Sequence, residues 1–194
     1  KLIGNSIKTI VTTEKFKELF ISNYGYPNNY LVCYNSSSFK ALNNEIELDS
    51  LSVVNVCYCG SVNHWHNLDE IVRVMKYVYD LYPTKAKIYF FTNVKNKHEI
   101  QNKLSSIPKE NLIIDFIPYN ELEEALSNMH ICVSVVKPVV STIIASPIKV
   151  SDYILQNKHI ILNDGIGDFD DHYFINNSAL LYKYGKKLIF TTEN

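Results

Sequence analysis

This 194-residue sequence has a single arginine, Arg73, among its 19 basic residues, and its formal net charge is −1. Nucleic-acid surfaces normally show a clustered basic face, so the composition excludes nucleic acid as the expected partner and leaves any phosphate recognition to lysines and backbone amides. The four cysteines, Cys33, Cys57, Cys59 and Cys132, form neither a Cys-x-x-Cys pair nor a Cys/His zinc spacing. They read as reduced core thiols of a cytosolic protein, with no metal site and no disulfide frame. Cys57 and Cys59 are expected on one face of one strand. The dinucleotide glycine pattern and the P-loop pattern are both missing, which excludes a standard NAD domain and a Walker ATPase. No cofactor is expected. No apolar run is long enough to span a membrane, and Lys1-Leu2-Ile3-Gly4 opens no signal-peptide-like region. The expected location is cytoplasmic, including peripheral attachment at an inner membrane face. The glycosylation patterns at Asn35 and Asn176 are then chance.

With 46% hydrophobic residues, the chain can bury a core of its own. Strand-like runs at Val53–Cys59, Lys87–Thr92, Leu112–Ile117, Ile131–Val136, Ile160–Leu162 and Ala179–Tyr182 alternate with helical patterns at Leu68–Leu81, His98–Leu104, Glu121–Met129 and Pro147–Asn157. This rhythm predicts an α/β fold with a doubly wound, Rossmann-like parallel sheet, right-handed crossovers and a ligand site beyond the carboxyl ends of the strands. Residues 1–50 read differently: a strand Ile7–Val11, a helix Glu14–Ser22 ended by Gly25 and Pro27, a strand Tyr30–Cys33, then a polar loop, Asn35–Asp49. The predicted division is a linker-like segment 1–50 and a nucleotide-type domain 51–194.

The stretch Ser146-Pro147-Ile148-Lys149-Val150-Ser151-Asp152-Tyr153 is the most informative. Serine before proline predicts Ser146 as an N-cap with Pro147 in the first helical position, leaving amides free to face an anion. Lys149 and Asp152, three apart, share a helix face, where one can meet a phosphate and the other a ribose diol. Gly60 and Ser61 end the first strand of the domain with a tight turn. Lys137, with Pro138, closes the fourth strand, and the connection Val139–Ala145 is expected to be flexible. Pro118 and Tyr119 close the third strand, where an exposed aromatic or an amide can meet a nucleobase. His64 and His66 alternate as in an extended segment, where they can face one ligand together; as metal ligands they lack a third partner, and they read more plainly as exposed loop histidines near a cleft. Gly165-Ile166-Gly167-Asp168 adds a permissive turn whose carboxylate either faces the same edge or caps a helix.

Ser146-Pro147-Ile148-Lys149, Asp152-Tyr153, Lys158-His159-Ile160-Ile161 and Gly165-Ile166-Gly167-Asp168 together resemble the C-terminal, donor-binding lobe of GT-B glycosyltransferases of the retaining family 4 type, whose segment commonly reads Ser-Pro-x-Lys-x-x-Glu-Tyr. The resemblance covers nearly the whole chain but is specific only from Ser146 to Asp168. It implies that Asp152 holds the ribose hydroxyls in place of the family's glutamate. The family's other glutamate, eight positions earlier, corresponds to Ile144, and the basic residues usual after the Gly60 turn are replaced by Ser61 and His66. The implied function is the nucleotide-sugar-binding lobe of a retaining glycosyltransferase in polysaccharide assembly, inactive without its other lobe. Its donor is a UDP-, GDP- or ADP-linked sugar. Its acceptor is a glycan or lipid-linked molecule held by an N-terminal lobe. The implied donor contacts are Gly60, Ser61, Pro118, Tyr119, Lys137, Ser146, Pro147, Lys149 and Asp152. Two alternatives stand beside it: a non-catalytic nucleotide-sugar-binding or partner module, and the lobe of a nucleotide-sugar 2-epimerase.

Overall fold

The computed structural model describes residues 7–25, 29–43, 45–168 and 179–188. Pro27 and Asn176 lie outside them. The chain opens with β1 (Thr9–Val11), α1 (Glu14–Tyr24) and β2 (Tyr30–Val32), and β1 and β2 pair in parallel as a separate two-stranded sheet. Thr13 caps α1, its hydroxyl oxygen accepting from Phe16 N at 3.0 Å.

The main sheet contains β3 (Val54–Cys59), β4 (Ala86–Phe91), β5 (Leu112–Asp115), β6 (Ile131–Ser134), β7 (His159–Asn163) and β8 (Ala179–Tyr182). All six strands run parallel in the order β5-β4-β3-β6-β7-β8. Helices α2 (Leu68–Leu81), α3 (Lys97–Lys103), α4 (Tyr119–Ser127) and α5 (Ile148–Leu155) complete the described α-helices.

Strand alternation assigns each side chain to one of two cores. Val54, Val56 and Tyr58 of β3 join Ile88 and Phe90 of β4 beneath α2, whose Ile71, Val74, Met75 and Val78 recur at helical spacing. Cys57 of the same strand points the other way. It meets Cys132, Leu122 and Leu126 of α4, and Val150 and Tyr153 of α5. Cys59 packs against this second core too, so the two thiols share a face as expected. Cys57 Sγ and Cys132 Sγ lie 3.4 Å apart, and both residues are free thiols. Both faces of the sheet are therefore covered, as a parallel sheet requires.

The polar segment after β2 is irregular, as expected, but it is strapped to the lobe. Phe39 is buried against α4 and α5, Leu42 N donates to Leu155 O at 2.7 Å, and Gln156 Nε2 donates to Lys40 O at 3.0 Å. Strand order reverses at β3: β4 and β5 lie on one side of it and β6 on the other. The connections leaving the adjacent carboxyl ends of β3 and β6 thus diverge at a topological switch point, where open α/β sheets bind ligands.

Candidate functional site

Gly60 follows β3 at the switch point with φ +135°, a backbone conformation that side-chain-bearing residues rarely adopt. Its amide donates to Phe91 O at 3.0 Å. A Cβ there would sit 3.0 Å from Lys149 Nζ, so glycine leaves the space that the ammonium fills. Lys149 comes from the first turn of α5 and lies over the Tyr58 ring, 4.7 Å from its centre. Tyr58 Oη donates to Ser61 O at 2.7 Å and lies 3.5 Å from Lys149 Nζ.

Among the described residues no carboxylate pairs with Lys149. Burial keeps the two nearby acidic groups neutral, pushing the Tyr58 phenol up and the Cys59 thiol up to about 12. Burial also pulls the Lys149 ammonium down to about 8, which still leaves it mostly charged at neutral pH. A half-buried cation without a counter-charge is a site waiting for an anion.

The start of α5 corrects the predicted cap. Pro147, with φ −65° and ψ 115°, is the cap position, and the helix begins at Ile148. Ser146 makes no cap, because the strap after β2 claims it. Its hydroxyl oxygen accepts from Asn35 N at 3.2 Å, and Asn35 Nδ2 donates to Ser146 O at 2.7 Å. The amides of Ile148 and Lys149 still lie outside the helical ladder, at the positive end of the helix dipole. The helix stops at Leu155, two residues before Asn157, whose φ of 49° cannot continue it.

One turn along α5, Asp152 is only 4% exposed. Ser37, from the strap, bonds its carboxylate, while Oδ1 is buried with no partner. Burial pushes its pKa up, against the pull of Ser37. A bare buried acceptor costs about 1–3 kcal/mol unless a donor arrives.

The connection 139–145, expected to be flexible, is a hydrogen-bonded turn. Thr142 Oγ1 accepts from Val139 N at 2.9 Å and donates to Lys137 O at 2.5 Å. Gly167 N donates to Ile143 O at 3.0 Å, and Thr13 Oγ1 donates to Ile144 O at 2.9 Å. Asp168 fulfils the capping alternative on a distant helix: its carboxylate accepts from Glu14 N at 2.6 Å, Lys15 N at 3.1 Å and Tyr34 Oη at 2.9 Å. It therefore does not face the ligand edge.

His64 and His66 do not act together, because the segment is a turn closed by His66 N donating to Asn63 O at 3.0 Å. His64 stacks on Trp65, ring centres 4.1 Å apart, whereas His66 turns inward to Ser61 and Asn63. Lys137 is exposed, and its amide donates to Trp65 O at 2.8 Å, stitching the two loops of the switch point together. Pro118 caps α4, and Tyr119 is the first residue of that helix; the residue is 59% exposed and its hydroxyl lies 3.2 Å from Ser38 Oγ.

The structure thus gathers Gly60, Ser61, Lys137, Pro147 and Lys149 at the switch point, with Asp152 farther along α5 and Pro118 and Tyr119 beside the strap. Ser146 turns away to hold Asn35. Sequence reasoning missed Tyr58 and Ser37. Tyr58 carried a readable signal, a polar-tipped aromatic one residue pair before the strand-end glycine. A small cavity behind Pro147, lined in part by Ser134, Val136 and Asn163, has room for about one water molecule and is not this site.

No family model matches the sequence, and neither does any curated protein. Solved structures do. WaaG, a glycosyltransferase involved in lipopolysaccharide biosynthesis, is similar with a TM-score of 0.68 and 10% identity, over 93% of this chain and 50% of that one. TarM of S. aureus, in a complex that includes UDP, is similar with a TM-score of 0.65 and 15% identity, over 94% of this chain and 35% of that one. HepE of Anabaena, in complex with UDP-glucose, gives 0.63 and 11%, over 93% and 50%. The chain spans about half the length of the structures it matches first, or less. It has the fold of one lobe of a GT-B glycosyltransferase.

Proposed function

We propose that this chain is the nucleotide-sugar-binding lobe of a retaining glycosyltransferase, and that the donor diphosphate lies over Gly60 against Lys149 and the first amides of α5. The observation that carries the reading is the half-buried Lys149 ammonium, which no carboxylate among the described residues pairs with, packed under Gly60 at the switch point. The bare Oδ1 of Asp152, one turn on, is an acceptor for the ribose diol. Pro118 and Tyr119 flank the nucleobase, and Lys137 adds long-range attraction from the rim. UDP or UDP-glucose in TarM and HepE makes a uridine donor the first to test.

Transfer breaks the bond between the sugar's anomeric carbon and the diphosphate oxygen, and negative charge grows on the departing nucleotide. Lys149 and the α5 amides, fixed before the reaction, stabilise that charge. The acceptor, a glycan or lipid-linked molecule of polysaccharide assembly, is held by a second lobe, so this chain alone binds donor without turnover. Ile144, where the resembling family carries glutamate, favours one second reading: a partner module that binds the nucleotide sugar and catalyses nothing.

Calorimetric titration of this chain with UDP, GDP and ADP tests the reading. Binding of at least one, weakened about ten- to a hundredfold in Lys149→Met, is the expected result, since a charged hydrogen bond contributes about 1.5–3 kcal/mol. Binding that Lys149→Met leaves unchanged, or no binding, contradicts it.

A further inference from the structure

At the amino edge of the main sheet, opposite the switch point, a side chain closes the ladder between β3 and β6. The two strands pair from Val56 and Ile131 onward. Just before them, His130 N donates to Asn55 O at 2.9 Å. The Asn55 amide in turn donates to His130 Nδ1 at 2.9 Å, so a ring nitrogen stands in for a carbonyl. Asn55 Nδ2 donates to Asn128 O at 2.9 Å, and His159 N to His130 O at 3.0 Å, which brings the end of α4 and the start of β7 to the same place.

The bond from Asn55 fixes the state of the ring. An amide N–H donates, so Nδ1 holds a lone pair and the hydrogen of the neutral ring sits on Nε2. A second proton has only Nδ1 to go to, where it would face the Asn55 hydrogen. The surroundings oppose it as well: burial first, then Lys158 and His159, hold the ring below the ordinary histidine value. Lys158, just before β7, donates from Nζ to Ser127 O at 2.9 Å, and His159 Nε2 donates to Ile46 O at 2.8 Å. From β4, Lys87 stands beside Asn55 in register and adds positive charge. From the end of α4, Ser127 and Asn128 are uncharged. Glu124 of α4 and Glu45 and Glu47 of the strap are exposed, and among the described residues no acid acts on the ring.

We propose that His130 is an acid-released clasp: neutral, its Nδ1 holds the Asn55 amide and pins the start of β3; protonated, it lets that amide go and loosens the place where the strap enters the sheet. The proton comes from solvent, and no covalent bond changes. The folded chain holds the ring neutral more firmly than the unfolded chain does. The contribution of the clasp is therefore full above about pH 6.5 and is lost progressively as pH falls from there toward the lower value of the folded ring. This device lies at the edge of the sheet away from the proposed nucleotide site and stands independently of it.

Nitrogen–nitrogen scalar coupling across the N–H···N bond, measured by NMR on the isotopically labelled chain, tests the clasp directly. Near neutral pH the Asn55 amide nitrogen couples to His130 Nδ1. On acidification, the coupling and the exchange protection of that amide are lost together with the protonation of His130. In urea unfolding, the equilibrium constant for unfolding rises severalfold more, up to about eightfold, between pH 7 and pH 5.5 in the wild type than in His130→Asn, whose Oδ1 takes the same amide and does not titrate. No coupling at neutral pH, protonation that leaves the Asn55 amide protected, or equal pH dependence in the two proteins overturns the proposal. So does a ring that titrates at or above the ordinary histidine value, because the cation then has an acceptor, such as the bare, buried Oδ1 of Asn55.

Discussion

At the scale of single residues, two side chains of α5, half-buried Lys149 and buried Asp152, lack an opposite charge and a second donor respectively. Lys149 is mostly charged below pH 8 and neutral above it. A bound diphosphate favours the charged form, so affinity is full below about pH 8 and falls as pH rises. A drop of about fivefold between pH 8 and pH 9 is expected, absent in Lys149→Met. Affinities that stay level in the wild type over that interval contradict the contact. Asp152 makes a separate prediction. Its bare Oδ1 accepts from a ribose hydroxyl, so the wild type prefers ribonucleotides to 2′-deoxyribonucleotides. Asp152→Asn keeps the shape but loses the charge and one acceptor, and most of that preference disappears with them. Equal preference in both proteins assigns Asp152 to the strap through Ser37 and removes it from the site.

At the scale of elements, the position of α5 depends on the turn 143–145 that delivers it. Gly167 has φ +54°, and a Cβ there would lie 2.1 Å from Ala145 O, which is backbone and cannot swing aside. Gly167→Ala therefore loses about 1–2 kcal/mol from the left-handed backbone alone, and more from displacing the turn. Denaturant unfolding measures it, and a change near zero contradicts the packing. This element also shows how far the sequence could be read. β3, β4, β6 and β7 were legible because β-branched and aromatic residues alternate in short runs, and α2 because its apolar residues recur at helical spacing. The turn was not, and it was expected to be flexible because nothing local in Val139–Ala145 announces order. Beside the local bonds of Thr142, it is held by Gly167 and by Thr13, 131 residues before Ile144. Ser146 departs from its expected cap for the same reason: Ser-Pro is a sound local cap signal, but Asn35, 111 residues away, competes for the hydroxyl and wins. The alternation of His64 and His66 looks alike in a strand and in a polar turn, so their spacing alone does not tell the two apart.

At the scale of the whole molecule, the parallel order β5-β4-β3-β6-β7-β8 brings the ends of β3 and β6 together, and that single topological fact gathers Gly60, Lys137 and Lys149 from across 90 residues of chain. The doubly wound sheet was legible from the strand–helix rhythm. The location of its crevice followed from strand order, which the rhythm does not contain. The central claim is that this crevice is where a nucleoside diphosphate binds. It is tested most directly by following backbone amide resonances of the isotopically labelled chain as UDP, GDP and ADP are added in turn. With the nucleotide that binds, the account predicts saturable shifts at Gly60, Ser61, Ile148 and Lys149. Shifts confined to other surfaces, or none with any of the three, would contradict it.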